Sequence, residues 1–398
     1  MSTLNITRKF SGKYQLAATA LLNLVVAFVL INLGLYAVFF VKDFFSGSNP
    51  VYKKYGQSLT YEKVYPHLTR EERNRLLKET WENRPYAFEP FTQFKERAFK
   101  GKYVNVDRQG FRLSRNQGAW PPDRQYFNLF VLGGSTTFGY GVADDQTIPS
   151  YLQEILNKTG AAGKKVKVYN FGRAAYYSSL ERLLWEKLLV TGPVPDMVLF
   201  IDGMNDFYFH EDLPHFSREI KKTVEGTGPV AHPVLEILNK LPIGRAAGIL
   251  KNVIVSSEKN RSKTGRIVYN DKVKKVCRRY FENKKIIEAV SRAYGVRPVF
   301  VWQPVPTYKY DLKYHLFAGA GDFLGHNYSK FGYPLMADLA RKKPLGKNFF
   351  WLADFQEDLR EPLYVDQIHY RASMNRMLAD KICQMLSAGN FFIRSIHE

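Results

Sequence analysis

Cysteine is nearly absent: Cys277 and Cys383 are the only two in 398 residues. Two thiols build neither a disulfide framework nor a cysteine-rich metal site. Acidic residues are also scarce, 37 against 58 Lys and Arg, for a formal net charge of +21. That excess suits anionic surroundings such as a lipid headgroup surface or an acidic glycan. No nucleic-acid partner is expected, because the basic residues are scattered and no recognised binding motif accompanies them. No internal repeat or low-complexity tract is present. Hydrophobic residues make up 45% of the chain, enough for a substantial core.

Charge is missing altogether from Leu16 to Val41, a run of 26 residues whose only clearly polar members are Thr19, Asn23 and Asn32. About 20 apolar residues cross a bilayer core, so this run spans one with some tilt. It exceeds the apolar stretch of a cleaved signal peptide, roughly 7–15 residues. A buried core helix would be shorter and amphipathic. Arg8, Lys9 and Lys13 precede the run; Lys42, and later Lys53 and Lys54, follow it. The positive-inside rule then predicts a cytoplasmic tail over 1–15 and a transmembrane helix over 16–41. The remainder is expected on the periplasmic or another extracytoplasmic side, with membrane lipid as a partner.

Residues 42–125 form a juxtamembrane region rich in aromatics, expected to pack on the main domain. Thr69 and Glu72 make a capping box ahead of a short helix over Arg73–Trp81. Pro85 to Arg112 reads as extended chain or short strands. From Tyr126 the pattern alternates. Strands are predicted at Phe127–Leu132, Val166–Asn170, Met197–Ile201, Val299–Trp302 and Phe349–Leu352. Helices are predicted at Thr147–Leu156, Ser179–Val190, Val273–Tyr294 and Arg371–Leu386. Strand alternating with helix means an α/β fold with a parallel sheet covered on both faces.

A long connection, 207–271, interrupts that alternation. Connections of this length usually carry function or their own structure. Over 207–275 there are 13 Lys and Arg against 7 Asp and Glu, with mostly apolar stretches at Val234–Leu241 and Ala246–Val255. Two readings stay open: a helical insertion packed on the domain, or a lid that contacts the membrane.

Four short motifs follow predicted strands. Gly133–Gly139 (GGSTTFG) follows the first, placing Ser135 at the head of a turn. Asn170-Phe171-Gly172 follows the second, Gly203-Met204-Asn205-Asp206 the third. Asp366-Gln367-Ile368-His369 follows the fifth, its spacing of three putting both side chains on one side of a turn. Open α/β sheets bind ligands beyond the C-terminal ends of their strands. Singly each motif is cheap; Ser is a common helix N-cap and Asn a common turn residue. Jointly and in order they are specific.

Over roughly 126–390 the chain resembles the SGNH (GDSL-like) hydrolases, whose four blocks match Ser135, Gly172, Asn205 and His369, with Asp366 matching the aspartate three residues before the histidine. Gly134 departs from the GDS signature, standing where many members have Asp. The resemblance implies a five-stranded parallel sheet of order 2-1-3-4-5 between helices, a flavodoxin-like arrangement. It implies Ser135 as nucleophile, His369 as base and Asp366 as its orienting partner. Ser135, Gly172 and Asn205 would form the oxyanion hole. No cofactor or metal is implied. In that topology the helices carrying Cys277 and Cys383 cover opposite faces, so two free thiols are expected.

The α/β-hydrolase elbow is absent, because Thr137 stands where GxSxG needs glycine. A P-loop is absent, because Tyr140 follows Gly139. His210 and His215 flank Glu211 and Asp212, but match no known metal-ligand spacing. The expected activity is that of a serine esterase or deacylase on an acylated carbohydrate or lipid. Its alternatives are an O-acyltransferase on an envelope or extracellular polysaccharide, and a catalytically silent glycan-binding or scaffold module. Protein partners are not indicated.

Overall fold

The computed structural model describes residues 3–45, 58–82, 86–224, 241–248, 265–320, 323–342 and 345–392. The chain divides into two compact units, Met1–Ser48 with Glu219–Gly265, and Asn49–Arg218 with Arg266–Glu398.

The first unit is built on α1, Thr3–Phe45. Its stretch Tyr14–Lys42, mean hydropathy 2.6, is long and apolar enough to cross a membrane. The partly covered positions along it are Phe28, Asn32, Leu35 and Phe39, which helical spacing places in one stripe. Asn32 Nδ2 donates to the Phe28 carbonyl at 2.9 Å, and its Oδ1 accepts the Ile243 amide at 3.2 Å. The Arg245 guanidinium lies 4.3 Å from the Phe39 ring centroid. A polar side chain within an apolar run thus spends both halves of its amide in hydrogen bonds, as interhelical polar residues do in membranes. Residues 242–248 are helical. The rest of the expected insertion includes 225–240 and 249–264, which lie outside the described residues, as does most of the apolar sequence behind the lid reading.

The second unit opens with α2 (Ser58–Val64) and α3 (Arg70–Trp81). The Thr69–Glu72 capping box is present, and α3 begins at once after Thr69, three residues earlier than expected. Two hairpins follow, β1 (Tyr86–Glu89) with β2 (Gln93–Glu96), and β3 (Phe99–Lys100) with β4 (Asn105–Val106).

The sheet comprises β5 (Phe127–Gly133), β6 (Val166–Gly172), β7 (Met197–Asp202), β8 (Arg297–Trp302) and β9 (Phe349–Trp351). Its order is β6-β5-β7-β8-β9, all parallel, which is the expected 2-1-3-4-5. All seven residues of β5 are buried, as a central strand covered on both faces requires. One core joins α5 (Ile148–Thr159) and α10 (Ala372–Ala388) to the sheet. On the other side lie α6 (Ser178–Val190), α8 (Gly265–Ala293) and α9 (Ser329–Lys342). The sequence did not announce α9, because Pro334 sits in its interior, where proline normally ends a helix. Both cysteines are free and buried, Cys383 in the first core and Cys277 in a separate one.

Register positions the loops that matter. Gly133 pairs with Gly172 on one side and Ile201 on the other, so the strand ends of β5, β6 and β7 open at one level. Beneath them, Glu181 of α6 and Asp202 of β7 are fully buried. Glu181 Oε2 and Asp202 Oδ1 meet no donor among the described residues. Burial, and then the facing acid, push Glu181 well above its ordinary pKa; burial likewise pushes Asp202 up to about 7.

An acid raised on folding contributes stability that is complete below its unfolded pKa and is lost as pH rises through the folded one. The Asp202→Asn variant mimics the protonated form. Its Tm relative to wild type is therefore expected to rise between about pH 5 and pH 8; a difference that stays level would mean Asp202 is ionised throughout.

Candidate active site

Ser135 opens α4, Ser135–Phe138, directly after β5. Gly133 and Gly134 make that entry passable. A Cβ at Gly133, whose φ is +157°, would lie 2.9 Å from the Ile201 carbonyl and closer still to Thr137. A Cβ at Gly134 would come within 2.4 Å of Asn205 Nδ2. A side chain at 134 would therefore require Asn205 to shift from the position it holds here.

His369 reaches Ser135 across 234 residues of sequence: Nε2 lies 2.8 Å from Oγ. Its Nδ1 lies 2.7 Å from Asp366 Oδ2 and 3.0 Å from Oδ1. Asp366 Oδ1 also accepts the Ile368 and His369 amides, each at 2.9 Å. The loop carrying both is closed by an antiparallel bridge between Tyr364 and Tyr370. Burial pushes the Asp366 carboxyl up, but the facing His369 and the hydrogen bonds outweigh it and hold its pKa below the ordinary value. A carboxylate on Nδ1 fixes the proton there and leaves Nε2 to accept from the serine. All three side chains are buried, Ser135 the least so at 7% exposed.

Asn205 sits in the first turn of α7, Met204–Tyr208, after β7. Its Nδ2 donates one proton to the Tyr176 carbonyl at 2.7 Å, leaving a second.

Gly172 is placed otherwise than expected. Its amide donates to Asn170 Oδ1 at 3.0 Å, and a Cβ there would lie 2.3 Å from the Phe138 nitrogen. It is a glycine because β6 packs against the backbone of α4, and its N–H is already committed. The amide that is uncommitted lies three residues on. In the loop 173–176, Arg173 donates to the Gly133 carbonyl, Ala174 to Glu96 and Tyr176 to the Arg173 carbonyl. The Ala175 amide finds no acceptor among the described residues. Ala175 is also left-handed, φ +57°, a conformation costly for alanine and typical of functional loops.

Several residues around the site were not legible in sequence. Gln303, just past β8, accepts from Thr136 Oγ1 at 2.7 Å and from the Tyr370 hydroxyl at 3.2 Å, tying the nucleophile turn to the histidine loop. Its place after a strand end is the signal that could have found it. Arg112 donates to the Phe138, Gly139 and Val142 carbonyls and to Asp144. It holds the far end of α4. Tyr140 stacks on the His369 imidazole, centroids 5.3 Å apart at 22°, and Trp81 of α3 meets the same ring edge-on at 5.0 Å. His315 and His326 lie near this loop. Burial lowers their pKa values to about 4 and about 3, the charge of His369 adding to the second, so both are neutral.

In 210–215 the His210 ring stacks on Tyr328 at 4.4 Å and the His215 ring packs against Phe216. Among the described residues no group of three or more His, Cys, Asp or Glu is arranged to hold a metal ion.

No family profile matches the chain, and no curated protein does. Solved structures do. A G-D-S-L family protein from Desulfitobacterium hafniense DCB-2 is 13% identical, with 65% of this chain and 99% of that one covered and a TM-score of 0.34. The psychrotrophic esterase EstA from Pseudoalteromonas is 13% identical, with 66% and 97% covered and a TM-score of 0.34. The acetyl xylan esterase AlAXEase is 13% identical, with 65% and 98% covered and a TM-score of 0.35.

A cation over an aromatic face within about 6 Å gains roughly 0.5–1 kcal/mol, or about two- to five-fold in an equilibrium or rate. Tyr140 offers such a face to the imidazolium that His369 becomes when it takes a proton. Tyr140→Leu is expected to lower kcat for ester hydrolysis by about that factor, with KM little changed, while Tyr140→Phe retains the wild-type rate. Equal rates for Leu and Phe would remove the ring from the chemistry.

Proposed function

We propose that this protein is a membrane-anchored serine esterase that cleaves an acylated carbohydrate or lipid through an acyl-enzyme. The observation that carries this reading is the 2.8 Å approach of His369 Nε2 to Ser135 Oγ with Asp366 behind it. A serine hydroxyl becomes an effective nucleophile when an adjacent base takes its proton. His369 accepts that proton as Ser135 Oγ attacks the ester carbonyl, and Asp366 steadies the resulting imidazolium. The tetrahedral intermediate places negative charge on the former carbonyl oxygen. Its donors are the Ser135 amide, the free proton of Asn205 Nδ2 and the Ala175 amide, which takes the part expected of Gly172. His369 then returns the proton to the leaving alcohol. The acyl-serine is released when water repeats the attack with His369 again as base.

The uncharged run Leu16–Val41 with its basic N-terminal flank supports an anchor whose N-terminus is cytoplasmic. The positive surplus of the chain favours an anionic surface as the working environment.

A fluorophosphonate probe is expected to label wild-type protein at Ser135 and to leave Ser135→Ala unlabelled and inactive on an aryl ester. Asn205→Ala should keep labelling but lose roughly 10²–10³-fold in kcat, the usual effect of one missing oxyanion donor. An unlabelled wild type would turn the reading toward a silent binding module. Protease added to sealed spheroplasts should digest the C-terminal unit; protection of that unit would reverse the orientation.

A further inference from the structure

The β1–β2 hairpin touches the site although it lies far from it in sequence. Glu89, the last residue of β1, is 5% exposed and accepts from Arg173 Nη1 at 2.5 Å. Arg173 is 1% exposed and also donates to the Tyr176 hydroxyl at 2.9 Å. Glu96, fully buried at the end of β2, accepts the Ala174 amide at 3.3 Å. Between them, the Phe94 carbonyl accepts from the Tyr176 hydroxyl at 2.6 Å. Three consecutive hairpin contacts therefore grip residues 173, 174 and 176. Ala175 is the residue left between them, in its left-handed conformation and with its amide uncommitted. The same loop presents the Tyr176 carbonyl that orients Asn205.

We propose that Glu89, through Arg173, is a positioning residue for acyl transfer: the hairpin holds the loop 173–176 so that the Ala175 amide and the Asn205 side chain face the oxygen that becomes negative on Ser135-bound substrate. The proposal rests on the esterase reading. Its physical basis is that a buried ion pair cannot be replaced by water when one partner is removed. The Arg173 guanidinium then seeks another acceptor and draws the loop with it. Left-handed alanine persists only where its surroundings over-determine it, so releasing the grip lets Ala175 relax out of register with Ser135. A displacement of about 1 Å in such a site costs about 10²-fold in rate.

The test uses the full chain in detergent, with active sites counted by fluorophosphonate titration. Glu89→Gln is expected to lower kcat per titrated site by about 10–10²-fold, with KM within about three-fold of wild type. The rate of phosphonylation, which develops charge on the same oxygen, should fall in parallel. Glu89→Asp should recover part of both. A merely structural role predicts fewer titratable sites with unchanged kcat per site, and that result would overturn the proposal. If Glu89→Gln yields no folded protein, Tyr176→Phe, which removes the hydroxyl bound to both Arg173 and Phe94, is read by the same measure, with a smaller loss expected and an unchanged kcat per site again overturning it. Failure of the esterase reading shows separately, as absent labelling of the unmodified protein.

Discussion

Two hydrogen bonds in series, 2.7 Å from Asp366 to His369 and 2.8 Å from His369 to Ser135, are the constraint around which the second unit is built. Neither survives small errors of placement, since hydrogen bonds weaken steeply with distance and angle. The three residues come from two loops 234 positions apart. The sheet supplies the common frame: parallel strands in tight register release their following loops at one edge. Gln303 then cross-links the two loops directly, one carbonyl oxygen accepting from Thr136 beside the serine and Tyr370 beside the histidine. The Tyr370 hydroxyl also meets the Pro304 carbonyl at 2.5 Å, so the end of β8 touches both loops.

The region before Tyr126 belongs to the same construction. Arg112, fully buried, spends its guanidinium on three carbonyls at the end of the α4 turn. Trp81 covers one edge of the imidazole. The hairpin grips the loop after β6. Each of these reaches a different element of the site, and Arg112 and the hairpin do so with buried polar groups whose partners water cannot replace. Buried, satisfied polar networks of this kind specify one arrangement more than they add stability.

How much of this could be read from sequence follows from which physical signal each part leaves. β5 and β7 are nearly continuous apolar runs because both faces are covered, and such runs are visible. The Thr69–Glu72 box marks a helix start by its own chemistry. α9 was hidden by Pro334, since proline reads as a helix end wherever the surrounding packing is not known. Gly172 was legible as a glycine that mattered, but its reason was misread. At a strand end beside a candidate nucleophile, a glycine suggests an amide turned toward a ligand; here the small residue is demanded by the backbone of Phe138, 2.3 Å from where a Cβ would be. Ala175 leaves no trace at all, because alanine in a left-handed conformation has no sequence signature. Trp81 and Tyr140 contribute ring faces that only tertiary packing brings to His369.

The departure at Gly134 and the grip of the hairpin are two ends of one arrangement. Asn205 Nδ2 lies where a side chain at 134 would begin, and it is held there by the Tyr176 carbonyl. Tyr176 is in turn held by Phe94 and Arg173, and Arg173 by Glu89. A larger residue at 134 would push Asn205 back along this chain, against a carbonyl whose own loop is fixed by buried charges. The room at position 134 is therefore bounded by a loop anchored from outside the sheet. The fit among Gly134, Asn205 and Tyr176 is thereby linked, contact by contact, to the hairpin.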